Sequence, residues 1–170
     1  MGIEIERKFL VRGDGWRAAI EHSAAMRQGY LTGAAACGAL ASVRVRVAGT
    51  QAWLNIKQAV VGMARAEFEY PIPLADAETM LGTLCGRLLE KTRHHVRVGA
   101  TLFEVDEFAG ENAGLVVAEV ELPAIDAAFP RPEWLGREVT ALHRYYNVAL
   151  AEHPYRDWSA AERAAGDAAC

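Results

Sequence analysis

The sequence lacks any long hydrophobic run. No apolar stretch approaches the roughly 20 residues that a membrane-spanning helix needs, and the N-terminus has no basic segment followed by an apolar one, as a secretory signal would have. The chain is therefore expected to be cytoplasmic and to have no membrane partner.

Cysteines are few, and basic residues are slightly outnumbered. The three cysteines, Cys37, Cys85 and Cys170, are odd in number and show no metal-ligand spacing, which indicates reduced thiols. Lysine and arginine total 18 against 22 aspartate and glutamate residues, so the net charge is −4 at pH 7. Broad binding to nucleic acid, which favours a basic surface, is not expected. A concentrated internal site for an anion remains compatible with this charge.

The length and composition indicate an ordinary globular protein. The chain has 170 residues, of which 52% are hydrophobic and 24% charged. This length is sufficient for a core without metal or disulfide support. We expect one domain over residues 1–150 and an alanine-rich C-terminal tail over residues 151–170, to which no function is assigned.

The first strand shows the pattern that recurs along the chain. Over Gly2–Val11, the charged residues Glu4, Glu6 and Lys8 share one face, because alternate side chains of a strand point to opposite sides. The other face is apolar. A single strand of this kind is most simply an edge strand with one wet face. Its repetition argues against that explanation.

Alternating polar and apolar residues predict seven further strands, over residues 26–32, 41–47, 52–57, 65–72, 90–98, 101–108 and 115–122. Hairpin turns are predicted at residues 49–50 and 99–100, and a loop of small residues at 33–38. A helix is predicted over residues 74–89, with Asp76 as its N-cap. A final helix is predicted over residues 136–150.

Charged residues occupy one face of most of these strands. The acidic members are Glu4, Glu6, Glu67, Glu69, Glu104, Asp106, Glu119 and Glu121. The basic members are Lys8, Arg44, Arg46, Lys57, Lys91 and Arg93, with Arg144 added from the last helix. Faces exposed to water would explain the alternation. They would not explain like charges stacked on one face, which repel each other.

Closing the strands into a barrel with the charges inside resolves this repulsion. The predicted fold class is therefore α+β: a closed antiparallel eight-stranded β-barrel with a charged lumen, covered outside by helices. Eight negative and seven positive charges leave about −1, and two divalent cations bring the lumen to about +3, close to what a triphosphate of roughly −4 to −5 would neutralise. Oxygen ligands favour Mg²⁺ or Mn²⁺ over Zn²⁺.

These residues resemble the CYTH domain of the triphosphate tunnel metalloenzymes. Glu4-x-Glu6-x-Lys8 matches that family's ExExK signature. The remaining motifs match in the family's order: Arg44-x-Arg46, Lys57, Arg65-x-Glu67-x-Glu69, Lys91-Thr92-Arg93, the run from Phe103 to Phe108, Glu119-x-Glu121 and Arg144-Tyr145-x-Asn147. The match extends from Ile3 to Leu150.

The resemblance implies a tunnel that binds triphosphates and hydrolyses them with divalent metal. Short bacterial members resemble inorganic triphosphatases acting on tripolyphosphate, which would yield pyrophosphate and phosphate. Thiamine triphosphatase, class IV adenylate cyclase and a non-hydrolytic polyphosphate- or nucleotide-binding module are the alternatives. The expected partner is thus a small-molecule triphosphate, and whether the chain forms a homodimer is left open.

The resemblance also implies roles for individual residues. The expected phosphate-binding residues are Lys8, Arg44, Arg46, Lys57, Lys91, Arg93 and Arg144. The expected metal ligands are Glu4, Glu6, Asp106, Glu119 and Glu121, while Glu104 could instead orient a basic neighbour. The catalytic candidates are Glu67, Glu69, Lys57 and His143, where either Glu67 or Glu69 would orient the attacking water.

His143 marks a departure from the family pattern. The family often has an acid-Lys-Arg-Tyr run in the last helix, and Leu142-His143-Arg144-Tyr145 stands in its place. If His143 replaces a lysine near the leaving phosphate, activity is expected to fall earlier on the alkaline side, because histidine loses its charge near neutrality. The alternative is a surface histidine on a helix.

Overall fold

A computed structural model describes residues 2–32 and 40–167 of the chain. The predicted loop at 33–38, Cys37 and Cys170 lie outside the described residues. The strands are β1 (Gly2–Val11), β2 (Ile20–Tyr30), β3 (Ala41–Ala48), β4 (Gln51–Gln58), β5 (Ala64–Pro71), β6 (Leu89–Val98), β7 (Thr101–Phe108), β8 (Val116–Glu121) and β9 (Leu135–Glu138). The α-helices are α1 (Leu74–Thr83), α2 (Asn147–Glu152) and α3 (Ala160–Asp167), and four short 3₁₀ helices cover Gly15–Ala19, Gly110–Asn112, His143–Tyr145 and Tyr155–Asp157.

Eight of the strands close into an antiparallel barrel. Their order is β5-β4-β3-β2-β6-β7-β8-β1, and β1 pairs again with β5 to complete the ring. Phe9 of β1 pairs with Ala118 of β8 and with Glu138 of β9. β8 occupies one edge of β1. The other edge pairs with β5 near the N-terminus of β1 and with β9 near its C-terminus. The predicted closed barrel is confirmed.

The apolar faces of the strands lie outside the barrel, where further elements cover them. Phe9, Phe103 and Val105 pack there with Trp16, which belongs to the 3₁₀ helix Gly15–Ala19, and with Trp134. Elsewhere on the outer surface of the barrel, α1 covers β3 and β4. Its Ala77 and Leu81 are buried against Val45, Val47 and Ala52. The main core of the protein is therefore the layer between the barrel and its outer cover.

One end of the barrel interior is filled by apolar side chains. Four apolar residues point into the barrel in the same phase as the charged residues of their strands: Leu10, Leu89, Phe108 and Val117. They form a cluster with the C-terminal residues Tyr145, Leu150 and Trp158. Trp158 is 4% exposed. The charged part of the lumen thus has an apolar base, and residues of the tail help to build it.

Three predictions of local structure are wrong. Residues 136–150 do not form one helix: they comprise the end of β9, the 3₁₀ helix His143–Tyr145 and the start of α2. The helix predicted over residues 74–89 ends at Thr83, and its N-cap is Pro73, so Asp76 lies in the first turn. The strand predicted over residues 26–32 begins earlier, at Ile20.

No helix in the described residues is both long and apolar enough to cross a membrane.

The apolar base makes the tail important for stability. Replacing Trp158 with alanine is expected to lower the free energy of unfolding by about 3–5 kcal/mol, the usual loss for a buried tryptophan. Urea denaturation of Trp158→Ala beside the wild type measures this. Leu84→Ala is the control, because Leu84 is 63% exposed and its loss should change the value by less than about 0.5 kcal/mol. Equal stabilities of the two variants would contradict a base held by the tail.

Candidate functional site

The charged faces of the strands meet around one cavity of about 290 Å³ inside the barrel. Its walls carry side chains from all eight strands of the barrel, and Tyr146, Asn147 and Val148 add a wall from the C-terminal segment. The predicted site residues that line it are Glu4, Glu6, Lys8, Arg44, Arg46, Lys57, Glu67, Glu69, Arg93, Glu119 and Glu121. The alternation along the strands therefore predicted correctly that these charged faces converge inside the barrel.

Most of these charges are paired across the lumen. Lys57 lies 2.8 Å from Glu4, and Arg65 bridges Glu4 at 3.0 Å and Glu6 at 2.6 Å. These contacts connect the first, fourth and fifth strands of the chain. Because each pair joins different strands, the network also fixes how those strands face each other.

A second part of the network centres on Arg93. Its guanidinium contacts Glu119 at 2.7 Å and Asp106 at 2.6 Å, and it also pairs with Glu104. Burial opposes its charge, but the surrounding carboxylates, Asp106 foremost, hold the pKa of Arg93 well above its usual value. Burial likewise opposes the charge of Glu119, yet Lys8 and Arg93 keep the pKa of Glu119 well below its usual value.

The cations of β3 and β4 are less well compensated. Burial lowers the pKa of Arg46 and of Lys57, and the charge of Arg44 lowers both further. Arg44 is buried and makes no ion pair with a described residue, and its Nε has no hydrogen-bond partner. An excess of positive charge therefore lies along this wall.

Glu121 is the opposite case. It faces Glu6 across the β1–β8 register and makes no ion pair within the described part of the chain. Burial raises the pKa of Glu121, and the neighbouring carboxylates, beginning with Glu4, raise it further. The wall that contains Glu121 therefore has an excess of negative charge.

Four predicted site residues do not line this cavity. Lys91 and Asp106 are in the predicted phase but pair with each other, with 3% and 0% exposure, behind the lining residue Arg93. Burial lowers the pKa of Lys91 to about 8. Arg144 stacks over Tyr145 and Trp158 beside the apolar base. His143 is exposed and stacks on Tyr146, as a surface histidine would.

Several lining residues were not predicted. Arg65 follows the same alternation as Glu67 and Glu69, so its phase was a usable signal. Tyr30 and Tyr146 also line the cavity, and Tyr146 places its ring 5.4 Å from the Lys8 ammonium and 5.5 Å from the Arg65 guanidinium. An aromatic residue in a charged wall has no distinct periodic signal.

The acidic residues of the cavity have the oxygen donors that a hard cation prefers. Most of them form ion pairs with lysine and arginine side chains in this structure. All the carboxylates at this wall offer oxygen donors, which Mg²⁺ and Mn²⁺ prefer. Within residues 2–32 and 40–167, no group of three such side chains stands ready to hold an ion. Binding would therefore have to exchange ion-pair partners for metal, with Glu121 as the carboxylate that has no partner to lose.

The barrel and its charged cavity define a known class of protein. The CYTH-domain profile matches residues 2–153, and the chain belongs to the CYTH-domain family. It is 42% identical over 159 residues to an inorganic triphosphatase of Acetivibrio thermocellus, covering 93% of this chain and 99% of that protein. It is also 40% identical over 153 residues to an inorganic triphosphatase of Nitrosomonas europaea, covering 87% and 96%.

Solved structures agree with this assignment. A crystal structure of an inorganic triphosphatase superposes with a TM-score of 0.62 at 39% identity, covering 89% of this chain and 95% of the other.

The repulsion at Glu121 predicts a pH-dependent gain in stability for Glu121→Gln. Above the raised pKa the wild-type carboxylate is charged and repelled, so the variant should be more stable by ~0.2–1 kcal/mol, as for a cross-strand pair of like charges. As the pH falls below the ordinary glutamate pKa, the wild-type residue becomes neutral and the difference should vanish. Thermal unfolding at pH about 7.5 and about 4 measures this. Glu133→Gln is an exposed control, and a variant less stable than wild type at neutral pH would contradict the repulsion.

Proposed function

We propose that this chain is a metal-dependent triphosphatase that hydrolyses inorganic tripolyphosphate to pyrophosphate and orthophosphate. Family membership and the two relatives named inorganic triphosphatase, which it matches over almost their whole length, support the reaction class. The observation that supports the cavity as the site of this reaction is that two of its charged residues are unpaired. Among the charged lining residues that the structure describes, only Arg44 and Glu121 make no ion pair.

The wall with excess positive charge is the proposed phosphate site. Arg44 and Arg46 can each bind phosphate oxygens with two parallel hydrogen bonds, and Lys57 and Lys8 act as point charges. Arg93 and Arg65 extend this set around the lumen. A bound triphosphate relieves the repulsion between Arg44 and its neighbours. The relief of this repulsion adds to the affinity for phosphate.

The wall with excess negative charge is the proposed metal site. Glu4, Glu6, Glu119 and Glu121 would hold one or two Mg²⁺ or Mn²⁺ ions. Asp106 is less suited, because Lys91 and Arg93 already neutralise it away from the cavity surface. Bound metal would supply charge neutralisation at the phosphate oxygens and an acidified water.

The residues of the chain then position the reactants. Water forms a bond to a terminal phosphorus while the bond from that phosphorus to the bridging oxygen breaks, and pyrophosphate carries away the electron pair. Glu67 or Glu69 orients the water by accepting a hydrogen bond from it, and the proton that the water loses passes to the phosphate products and the solvent. The cationic wall stabilises the charge that spreads over the phosphate oxygens, so catalysis rests on positioning and electrostatics. His143 and Arg144 are given no part, since both lie away from the lining.

A substrate panel tests the reaction. The purified chain should release orthophosphate from tripolyphosphate with Mg²⁺ or Mn²⁺, and not with EDTA. ATP, thiamine triphosphate and longer polyphosphate should be poorer substrates by kcat/KM. Tight binding of tripolyphosphate without turnover in either metal would instead identify a binding module, and cyclic AMP formed from ATP would identify a cyclase.

Arg44 gives a sharper test of the phosphate site. Arg44→Gln should raise KM for tripolyphosphate about 10- to 100-fold, because a hydrogen bond to a charged group contributes about 1.5–3 kcal/mol. The same variant should melt at a higher temperature than wild type, because it removes repulsion with Arg46 and Lys57. Arg97→Gln is the control: Arg97 is exposed and pairs with Glu21, outside the cavity. A lower melting temperature together with an unchanged KM would refute the role of Arg44.

A further inference from the structure

Asn55 is an uncharged side chain in the wall of charges. It lies on β4, is fully buried at 0% exposure, and pairs in register with Arg44 of β3 and Glu69 of β5. Its amide nitrogen donates to Oε1 of Glu67 at 3.1 Å and also to Oε2 of Glu69. One amide group therefore bridges two carboxylates that would otherwise repel each other.

The orientation of this amide follows from its neighbours. Turning the carbonyl oxygen of Asn55 toward the carboxylates would place acceptors against acceptors, so the NH₂ group must face them. Both of its protons are then used, while Oδ1 is buried without a hydrogen-bond donor. A buried acceptor without a donor destabilises a protein. Asn55 is distinguished by the acceptors of its protons, because both are donated to carboxylates that line the cavity.

The two carboxylates make matching contacts at one oxygen but differ in exposure, which is 20% for the Glu67 side chain and 38% for the Glu69 side chain. Oε1 of Glu67 is also 3.2 Å from Lys57, and Oε2 of Glu69 is also 2.8 Å from Arg46. Each carboxylate is thus held at one oxygen by Asn55 and a cation together. The other oxygen of Glu69, Oε1, accepts no hydrogen bond from the described residues, and the Glu69 side chain is 38% exposed.

We propose that Asn55 is a positioning residue that holds Glu67 and Glu69 as a fixed pair and leaves Oε1 of Glu69 to accept a hydrogen bond from the attacking water. This inference rests on the hydrolysis proposed above. It assigns water orientation to Glu69 and places Glu67 as the partner that, with Lys57, anchors the other end of the bridge.

The bridge predicts a loss in turnover without a loss in binding. Asn55→Ala removes both donated hydrogen bonds but none of the phosphate-binding cations. We expect kcat for tripolyphosphate to fall about 10- to 100-fold, as for other displaced catalytic groups, with KM changed less than threefold. Asn55→Asp keeps the shape and removes the donors, so it should lose at least as much turnover. Asn55→Gln keeps the amide and should recover part of it.

Gln28 offers a matched control. It is another fully buried amide in the barrel, with its own Oε1 unpaired, and its nitrogen donates to the Tyr30 hydroxyl at 3.2 Å instead of to a carboxylate. Gln28→Ala should keep kcat within about threefold of wild type. Thermal melting of each variant shows whether it is folded.

A double-mutant cycle separates positioning from a general disturbance of the barrel. If Asn55 acts through Glu69, then Asn55→Ala should reduce kcat much less in the Glu69→Gln background than in wild type. Additive losses would overturn the inference, as would a KM that rises in step with the fall in kcat. Failure of all three Asn55 variants to fold, while Gln28→Ala folds, would make Asn55 a structural residue and overturn it too.

The inference and the proposed function fail in different ways. Wild-type protein that releases no phosphate from tripolyphosphate refutes the function. Full turnover by Asn55→Ala and Asn55→Asp, with turnover lost in Glu69→Gln, refutes only the role of Asn55. Full turnover by Glu69→Gln refutes the assignment of water orientation to Glu69 and leaves hydrolysis intact.

Discussion

The compensation of charge inside a closed barrel is the constraint on which this structure depends. Strands such as β1, β5 and β8 each place carboxylates two residues apart on one face, where they repel. Closure of the sheet brings the cations of β3, β4 and β6 to face them. A buried charge without a partner is severely destabilising. Register errors would leave several charges in that state, so the ion pairs specify the barrel more than they stabilise it.

Stability must therefore come mainly from elsewhere. Buried ion pairs gain little net free energy, because desolvation offsets their attraction. The apolar layer outside the barrel supplies the hydrophobic contribution, with Phe9, Trp16 and Phe103 fully or almost fully buried. The base of the lumen adds a second apolar cluster around Leu150 and Trp158. The protein thus separates its stabilising surfaces from its charged surface, which leaves the lumen residues available for ligands.

The face of each strand could be predicted from the sequence, but depth along the barrel could not. Period-two alternation assigned Arg44, Glu69 and Glu121 correctly to the lumen. Lys91 and Asp106 have the same phase, yet they lie behind the residues that line the cavity. The depth of a residue in the barrel depends on the stagger between strands and on the apolar base, and the sequence of a single strand specifies neither. Asn55 has the same phase as Lys57, but it carries no charge and was not predicted as a site residue, although it touches two acidic residues.

The C-terminal region shows where local pattern fails. Residues 136–150 contain enough apolar spacing to suggest a helix, but pairing with β1 fixes β9 there. A Cβ atom at Gly136 would lie 2.7 Å from the Leu10 carbonyl oxygen, so only glycine fits this pairing without a shift. Tertiary pairing of this kind overrides weak helical preference. The role of Trp158 was hidden for a related reason. Trp158 is an apolar residue in a polar, alanine-rich tail. Its burial depends on packing against the apolar end of the barrel, which the tail sequence alone does not indicate.

The lumen also shows why a less stable arrangement persists. Replacing its ion pairs with apolar residues of similar volume would remove the desolvation penalty and would, by analogy with other buried ion pairs, leave the barrel as stable or more stable. Such a barrel could not exchange partners. If the proposed function holds, the existing pairs would separate as the triphosphate binds the cations and metal binds the carboxylates, because each new contact replaces an old one of the same sign. In the proposed function, this exchange would begin at Arg44 and Glu121, because neither has an ion pair to break. The near balance of opposite charges in the lumen is therefore the property on which the proposed binding of substrate and metal depends.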